Sequence, residues 1–223
     1  MEFDFSGLEN NYAAYLPADK DACILEVGCG FGRVLSYLKS KGYRNLTAFD
    51  RNAQAVDSVR QHLLPDVYLE HDSARFLESR KGLYDLIVAK DVIYYFPKPT
   101  VAREMKALLG ALKPGGVLIL EVFNGAALTG AYIQQKDFYI EWVPTEYSVR
   151  TILEEAGFEV GTIEAFVPSA KGLKQRIFNL ASALWRAALR AAYFLERGLD
   201  PQNPKILTTK LIATAKRPAP GRS

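Results

Sequence analysis

The chain has 223 residues, of which 49% are hydrophobic and 24% charged, the balance of an ordinary soluble globular protein with room for one full α/β core. Its two cysteines, Cys23 and Cys29, form no recognisable metal set, so we expect reduced thiols, a cytoplasmic setting and no bound metal. The N-terminus lacks the pattern of a secretory signal, and no window approaches roughly 18 uninterrupted apolar residues, so no membrane-spanning helix is expected.

Charge is unevenly distributed along the chain. The formal net charge is +3, but residues 166–223 carry eleven Lys/Arg and two Asp/Glu, a net charge of +9. The preceding residues are therefore acidic, with a net charge of −6. A basic C-terminal quarter indicates either an anionic partner surface or a solvated basic helix, and charge alone leaves both open. We expect no nucleic-acid partner.

Apolar runs alternate with helical ones at the spacing of βαβ units. After a short helix that ends at Pro17, the predicted strands are CILEVG, NLTAFD, VYLEHD, YDLIVAKD, GGVLILEVFN, EVGTIEAFV and TTKLIATAKR. The predicted helices between them are GRVLSYLKSKG, AQAVDSVRQHLL (which stops at Pro65), SARFLESR, TVAREMKALLGAL, TEYSVRTILEEAGF and a long stretch over 171–195, with PAPGRS as a frayed tail. This order predicts a doubly wound, mostly parallel seven-stranded sheet with helices on both faces.

The segment ILEVGCGFGRVL runs from the first strand through Gly28, Gly30 and Gly32 into a helix. Glycines permit a sharp turn and a close approach of a ligand to the backbone, and the helix N-terminus offers free N–H groups. The GxGxG spacing differs from the GxGxxG of nicotinamide binders. Glu26, two residues before the first glycine, would repel a pyrophosphate but attract an ammonium group.

Two further polar groups follow the next strands. Asp50 ends the second strand, where an acid can accept both hydroxyls of a ribose. Asp72, Ser73 and Ala74 follow the third strand and are placed to read an adenine edge. A ligand with an ammonium group, a ribose diol and adenine, but no phosphate, is S-adenosylmethionine, which we predict as the cofactor. Its predicted binding residues are Glu26, Gly28, Cys29, Gly30, Gly32, Asp50, Arg51, Asp72, Ser73, Ala74 and Lys90.

Residues 12–166 resemble class I S-adenosylmethionine-dependent methyltransferases in ILEVGCGFG, LTAFDRN, HDSARFL, YDLIVAKDVIYYFP and LKPGGVLILEVFN. The resemblance implies a Rossmann-like methyltransferase domain over 1–223. YAAYLP, DFYIEWVPTEYSVRTILEEAGF and ILTTKLIATAKRP further resemble the sugar methyltransferases of bacterial lipopolysaccharide and capsule clusters. That finer resemblance implies O-methylation of a sugar in a surface polysaccharide or its lipid-linked precursor. The alternatives are another small-molecule acceptor, such as a quinone or lipid headgroup, and a non-catalytic cofactor-binding scaffold.

The acceptor is expected over the ends of the fourth and fifth strands, next to AKDVIYYFP. The sugar-methylating relatives typically carry histidines where this chain has Tyr95 and Ile140, so a histidine base is not expected. Tyr94 and Tyr95 are adjacent, so only one of them can face the site. The predicted catalytic residues are Asp91, Tyr95 and Glu141, with Tyr94 and Asp137 as further polar candidates.

Residues 167–204 form a predicted basic amphipathic insertion whose helix covers 171–195. Polar residues at 171, 175, 179, 182, 186 and 190 form a narrow stripe, and the remaining apolar face is wider than packing on one sheet requires. Three interpretations stay open. The helix binds the anionic inner face of the cytoplasmic membrane peripherally, forms a homo-oligomer contact, or is buried in its own domain.

Overall fold

The computed structural model describes residues 3–64, 66–169, 172–219 and 221. Three of the predicted features fall partly or wholly on residues outside this set. These are the helix stop at Pro65, the first residue of the basic helix at Lys171, and half of the C-terminal tail.

Seven strands form one sheet, and eight α-helices surround it within the described residues. The strands are β1 (Ile24–Val27), β2 (Leu46–Asp50), β3 (Val67–Leu69), β4 (Tyr84–Lys90), β5 (Leu112–Phe123), β6 (Glu159–Ala165) and β7 (Lys210–Lys216). The helices are α1 (Ser6–Tyr12), α2 (Arg33–Ser40), α3 (Ala53–His62), α4 (Ser73–Glu78), α5 (Lys98–Ala111), α6 (Gly130–Lys136), α7 (Glu146–Ala156) and α8 (Leu173–Arg197). Single 3-10 turns cover Ala13–Tyr15 and Ile93–Tyr95.

The strand order is β3-β2-β1-β4-β5-β7-β6, which confirms the predicted doubly wound sheet. Neighbours from β3 to β5 pair in parallel, and β7 runs antiparallel to both β5 and β6. The order reverses between β1 and β4, since one chain direction leads from β1 to β3 and the other from β4 outward. Ligands of open α/β sheets bind at this reversal, beyond the carboxyl ends of the strands.

The core has two layers, one on each face of the sheet. Four consecutive β4 residues, Leu86–Ala89, are fully buried, as expected for a strand with helices on both sides. Leu86 and Val88 join the layer that holds α2, whereas Ile87 and Ala89 join the layer that holds α5. The uninterrupted apolar run LIVA therefore supplies both layers at once.

Local signals fix the helix starts near the carboxyl edge. The side chain of Asn52 accepts from the Ala55 N–H at 3.3 Å to begin α3, directly after β2. Thr145 and Ser148 form a capping box at the start of α7, and Gly157 ends that helix at φ 97°. The loops after β2 and β3 lead almost directly into the helix caps Asn52 and Asp72, so the side chains of these loops stay at the sheet edge.

The observed elements differ from the predicted ones in three main places. The short helix α6 was not predicted. β5 begins at Leu112, so the segment LKPGG is part of the strand, because Leu112 pairs with Tyr84 across an irregularity in β4. α8 continues to Arg197, and none of its residues is buried, so it is not part of the core. Among the described residues, no helix has the length and apolar character needed to cross a membrane.

Candidate active site

The glycine loop joins β1 to α2 with left-handed backbone at each of its three glycines. The φ values are 69° at Gly28, 48° at Gly30 and 78° at Gly32. A Cβ on Gly28 would lie 2.8 Å from Val92 Cγ2, and one on Gly32 would lie 2.8 Å from Leu63 Cδ2. A Cβ on Gly30 would meet nothing within 4 Å. Packing therefore requires two of the glycines, whereas Gly30 exposes its backbone to open space that a ligand can fill.

The loop is tied to the end of β2. The Gly28 N–H donates to the Phe49 carbonyl at 2.9 Å. The Asp50 carboxylate accepts from the Gly30 N–H at 2.7 Å and from the Asn52 N–H at 2.9 Å. These backbone donors fix Asp50 beside Gly30, which is the placement that a ribose-binding acid requires.

A cavity of about 470 Å³ opens at the carboxyl ends of β1, β2 and β4. That volume suits a small-molecule ligand, since such sites span roughly 300–1,000 Å³. Seven of the predicted residues line it, namely Gly28, Gly30, Asp50, Arg51, Ser73, Asp91 and Tyr95. The lining residues that were not assigned to the site from sequence include Phe31, Asn52, Glu70, His71, Val92, Phe96, Thr100, Arg103 and Glu104. Five of these, namely Phe31, Asn52, His71, Val92 and Phe96, lie inside the segments on which the family resemblance rests. Thr100, Arg103 and Glu104 lie in α5 and belong to no such segment, so only the tertiary fold brings them to the cavity.

Glu26 and Cys29 lie beneath the loop and do not line the cavity. Glu26 is buried and accepts from the Leu35 N–H in α2 at 3.1 Å, and burial raises the pKa of its carboxyl. Cys29 is buried as well, and burial raises the pKa of its thiol. Glu26 thus anchors α2 to β1, and the ammonium contact assigned to it from the sequence stays a prediction.

The three residues after β3 that were predicted to contact adenine, Asp72, Ser73 and Ala74, take different positions. The Asp72 carboxylate accepts from the Arg75 N–H at 3.0 Å and caps α4, while Ala74 is fully buried. Only Ser73 lines the cavity, where its hydroxyl donates to Glu104 Oε2 at 2.6 Å. Burial raises the pKa of Glu104, a wall residue that α5 supplies. The predicted contact with adenine therefore rests on Ser73 among these three residues.

Four charged side chains meet where β4, β5 and β7 lie side by side. Lys210 Nζ lies 2.5 Å from Asp91 Oδ2 and 2.6 Å from Glu121 Oε1. Lys90 pairs with Asp91 and lies 3.3 Å from Glu121 Oε1. The Tyr12 hydroxyl donates to the other Glu121 oxygen at 2.8 Å. Two lysines thus neutralise two carboxylates in a partly buried place, which avoids the cost of an unpaired buried charge.

Asp91, at the cavity wall, has two features that each destabilise the fold, a left-handed backbone and a buried oxygen without a hydrogen bond. It is the only non-glycine residue with positive φ, 56°, among the described residues. Its Oδ1 is buried and accepts no hydrogen bond there, which costs about 1–3 kcal/mol. Burial opposes ionisation, but Lys210 and Lys90 outweigh it and hold the pKa of Asp91 below its usual range. Asp91 is therefore an ionised carboxylate whose buried Oδ1 has unused hydrogen-bonding capacity.

Tyr94 and Tyr95 separate as expected for adjacent residues. Tyr94 is buried, with its ring 5.1 Å from that of Phe123. Tyr95 lines the cavity, and its hydroxyl donates to Asp137 Oδ2 at 3.0 Å. Burial, followed by Asp137, raises the pKa of Tyr95 to about 12, so its hydroxyl is protonated at neutral pH. The Arg51 guanidinium lies 5.3 Å from the Tyr95 ring centroid, which makes one wall both aromatic and cationic.

Glu141 lies apart from this wall. Its side chain is exposed and does not line the cavity, and its backbone N–H donates to the Tyr94 carbonyl at 3.0 Å. His71 is exposed at the cavity wall, while His62 ends α3 with Nδ1 2.9 Å from the Ser58 carbonyl. No cluster of three His, Cys, Asp or Glu side chains in the described part of the chain is arranged to hold a metal ion.

Comparisons with known proteins agree with this geometry. A family model described as "Methyltransferase domain" matches residues 2–163. The ubiquinone biosynthesis O-methyltransferase of Rickettsia typhi is 28% identical over 194 residues, which cover 78% of this chain and 72% of that protein. This relative belongs by name to ubiquinone biosynthesis and not to polysaccharide biosynthesis.

Two solved structures share the fold at low sequence identity. A SAM-dependent methyltransferase from Archaeoglobus fulgidus matches with a TM-score of 0.69 and 16% identity, covering 95% of this chain and 92% of the other. The [4+2]-cyclase SpnF matches with a TM-score of 0.63 and 20% identity, covering 96% and 82%. The predicted Rossmann-like methyltransferase fold is confirmed, and S-adenosylmethionine is supported as the cofactor. Because a cyclase shares the fold, the assignment to methyl transfer depends on the family match and not on shape alone.

Proposed function

Because this chain belongs to the methyltransferase-domain family, we propose that it transfers the methyl group of S-adenosylmethionine to a hydroxyl oxygen on a small flat ring, such as a quinone precursor. The observation that carries the proposal is the cavity in which the glycine loop and Asp50 lie on one side and Asp91 and Tyr95 on the other. One side holds groups for a nucleoside, and the other holds groups for an acceptor.

The residues present fit the cofactor. Gly30 has open space where a Cβ would stand, and Asp50 is fixed beside it by two backbone donors. In this proposal Asp50 holds the ribose hydroxyls, and Ser73 lies along the adenine edge. When bound, S-adenosylmethionine supplies an electrophilic methyl group. The protein contributes position and exclusion of water, which are the main demands of an in-line transfer.

The aromatic wall supports a ring-shaped acceptor. Arg51 lies over the ring of Tyr95 and 6.0 Å from the ring centroid of Tyr139. Tyr139 is largely exposed, so this wall extends from the cavity to the surface. Flat rings stack on such faces. The ubiquinone-biosynthesis relative supports the same choice of acceptor.

Asp91 is the proposed acceptor of the proton from the substrate hydroxyl. Its Oδ1 lacks a partner, and its two lysines keep it ionised. A carboxylate with a lowered pKa is a weak base, so it takes the proton late, once the oxygen has become acidic through methylation. Tyr95 positions the acceptor in this scheme, since its hydroxyl stays protonated, donates its hydrogen to Asp137 and keeps oxygen lone pairs that can accept from a substrate hydroxyl.

The test uses the purified full chain with radiolabelled S-adenosylmethionine and two acceptor sets, catechol-type ring compounds and nucleotide sugars. The proposal expects label on the ring hydroxyl and a much slower reaction with the Asp91→Asn variant. Titration calorimetry with S-adenosylhomocysteine supplies the control, because Asp91→Asn retains binding while Asp50→Ala loses it.

Label on the sugars alone would overturn the ring acceptor but retain methyl transfer. Cofactor binding without label on any acceptor, including a total cell extract, would favour a non-catalytic scaffold. Unchanged binding in Asp50→Ala would contradict the cofactor site itself.

A further inference from the structure

The helix α8 turns its polar stripe toward the protein. Its half-buried residues are Gln175, Asn179, Ser182, Arg186, Leu189 and Tyr193. They recur every three or four positions, so they lie on one face of the helix. Asn179 donates to the Ser169 carbonyl at 3.2 Å, and the Tyr193 hydroxyl donates to the Ala126 carbonyl at 3.4 Å. The polar face of this helix is therefore the one that contacts its own domain.

The apolar face of α8 points away from the protein. Its large side chains are between 52% and 82% exposed: Leu173, Ile177, Phe178, Leu180, Leu184, Trp185, Phe194 and Leu195. A surface helix normally does the reverse and buries its apolar stripe. A contiguous exposed apolar face of this length marks a site that binds a membrane or another protein surface.

α8 lies at the same edge of the sheet as the cavity. The connection that contains it leaves β6 at Ala165 and enters β7 at Lys210. Lys210 pairs with Phe123 at the carboxyl end of β5, and Ala165 pairs with the neighbouring Leu211. The segment between β5 and α7, which includes α6, adds further exposed rings at this edge, those of Tyr132, Phe138 and Tyr139.

Charge decides between a membrane and a second copy of the chain. α8 itself carries five Lys/Arg and one Glu, and residues 166–223 have a net charge of +9. Lys174, Arg190 and Arg197 are exposed along the helix. Pairing two copies through α8 would bring two strongly basic segments together, whereas anionic headgroups neutralise them.

We propose that α8 docks the protein on an anionic lipid bilayer, with its outward apolar face in the boundary between headgroups and acyl chains. Trp185 lies on this face, and indole rings favour that boundary. The active-site edge then faces the membrane surface, where an amphiphilic acceptor would be presented. That last consequence rests on the proposed function, whereas the docking itself does not.

Flotation of the purified full chain tests the docking. Vesicles of phosphatidylcholine mixed with phosphatidylglycerol are compared with vesicles of phosphatidylcholine alone. The proposal expects flotation with the anionic vesicles and about tenfold weaker binding for each of Leu180→Glu and Leu184→Glu. Both side chains are largely exposed, so the variants keep the fold. The matched control is Leu83→Glu, an exposed leucine immediately before β4 at the opposite edge, which floats like the wild type.

The two tryptophans give an independent readout. Trp185 is exposed on α8, while Trp142 is buried and donates to the Phe96 carbonyl. Anionic vesicles should shift the emission to the blue, and Trp185→Phe should abolish the shift while leaving the Trp142 emission.

Sedimentation velocity tests the alternative, a dimer in which a second copy of the chain binds through α8. A wild-type dimer that Leu184→Glu dissociates, with no flotation on anionic vesicles, would overturn membrane docking in favour of a second copy. A monomer that does not float would overturn it as well, and so would flotation that neither glutamate variant weakens. All of these readouts are independent of methyl transfer.

Discussion

Replacing Gly30 by alanine separates the cofactor site from the general cost of a left-handed backbone. Gly30 and Gly42 both have positive φ, 48° and 87°, and a Cβ on either would meet nothing within 4 Å. An L-residue in this conformation costs about 1–2 kcal/mol, so both alanine variants should lose similar stability. For a chain of this length that loss lowers Tm by roughly 2–8 °C. Gly42 lies just beyond α2 and does not line the cavity, so it is the matched control.

Only Gly30→Ala should lose cofactor affinity. The added methyl group enters the cavity beside Asp50, where the glycine loop lets a ligand approach the backbone. We expect binding of S-adenosylhomocysteine to weaken by about tenfold or more in Gly30→Ala, and to remain at the wild-type level in Gly42→Ala. Titration calorimetry measures the affinity, and differential scanning calorimetry measures Tm. Equal affinities in the two variants would refute the placement of the cofactor against this loop.

Three further predictions concern single side chains at the site. Asp91→Asn should lower kcat by about 10²-fold while binding of S-adenosylhomocysteine changes little; because the pKa of Asp91 is lowered, the wild-type rate should show no acidic limb from it between pH 6 and 8. Tyr95→Phe should lower kcat less than Asp91→Asn. The pKa of Tyr95 is raised from 10.0 to about 12, so its stabilising contribution is complete below pH 10 and lost as pH rises through 12, and thermal melts of Tyr95→Phe should fall less steeply across that window. Burial raises the pKa of Glu104, so its ionisation costs stability above the unfolded-state pKa; Glu104→Gln should raise Tm at pH 8, and the gain should disappear near pH 4.

The local part of the fold and site followed from the sequence. The glycine loop and Asp50 are specified within one strand–turn–helix unit each, so spacing placed them at the cavity, and the family resemblance placed the end of β4 there. Lys210 could not be found this way, because it is 119 positions from Asp91 and reaches it only through the antiparallel β7. Glu104 belongs to an ordinary amphipathic helix, and only the packing of α4 on α5 brings it to Ser73.

The long helix α8 shows a different limit of prediction from the sequence. Its periodicity predicted the polar stripe correctly, but periodicity does not say which face meets the protein. The general rule buries the apolar face, and here Asn179 on the polar stripe and Tyr193, three residues beyond its last member, make the contacts with the domain. The sugar acceptor rested on segments outside the cofactor motifs, and these vary with fewer physical constraints than the glycine loop.

The departures from ordinary folding rules gather at one edge of the sheet. Asp91 has a left-handed backbone and a buried oxygen without a partner, and it is one of four charged side chains that meet there. At the same edge, α8 presents its apolar face outward. The left-handed backbone and buried oxygen of Asp91 and the exposed apolar face of α8 each cost stability, and none helps to close the core, which the two apolar layers already complete. Such costs persist where they serve a ligand, because selection for stability alone would remove them. Their shared location supports the inference that the proposed proton acceptor and the proposed docking surface serve one event, the delivery of an acceptor to the methyl group.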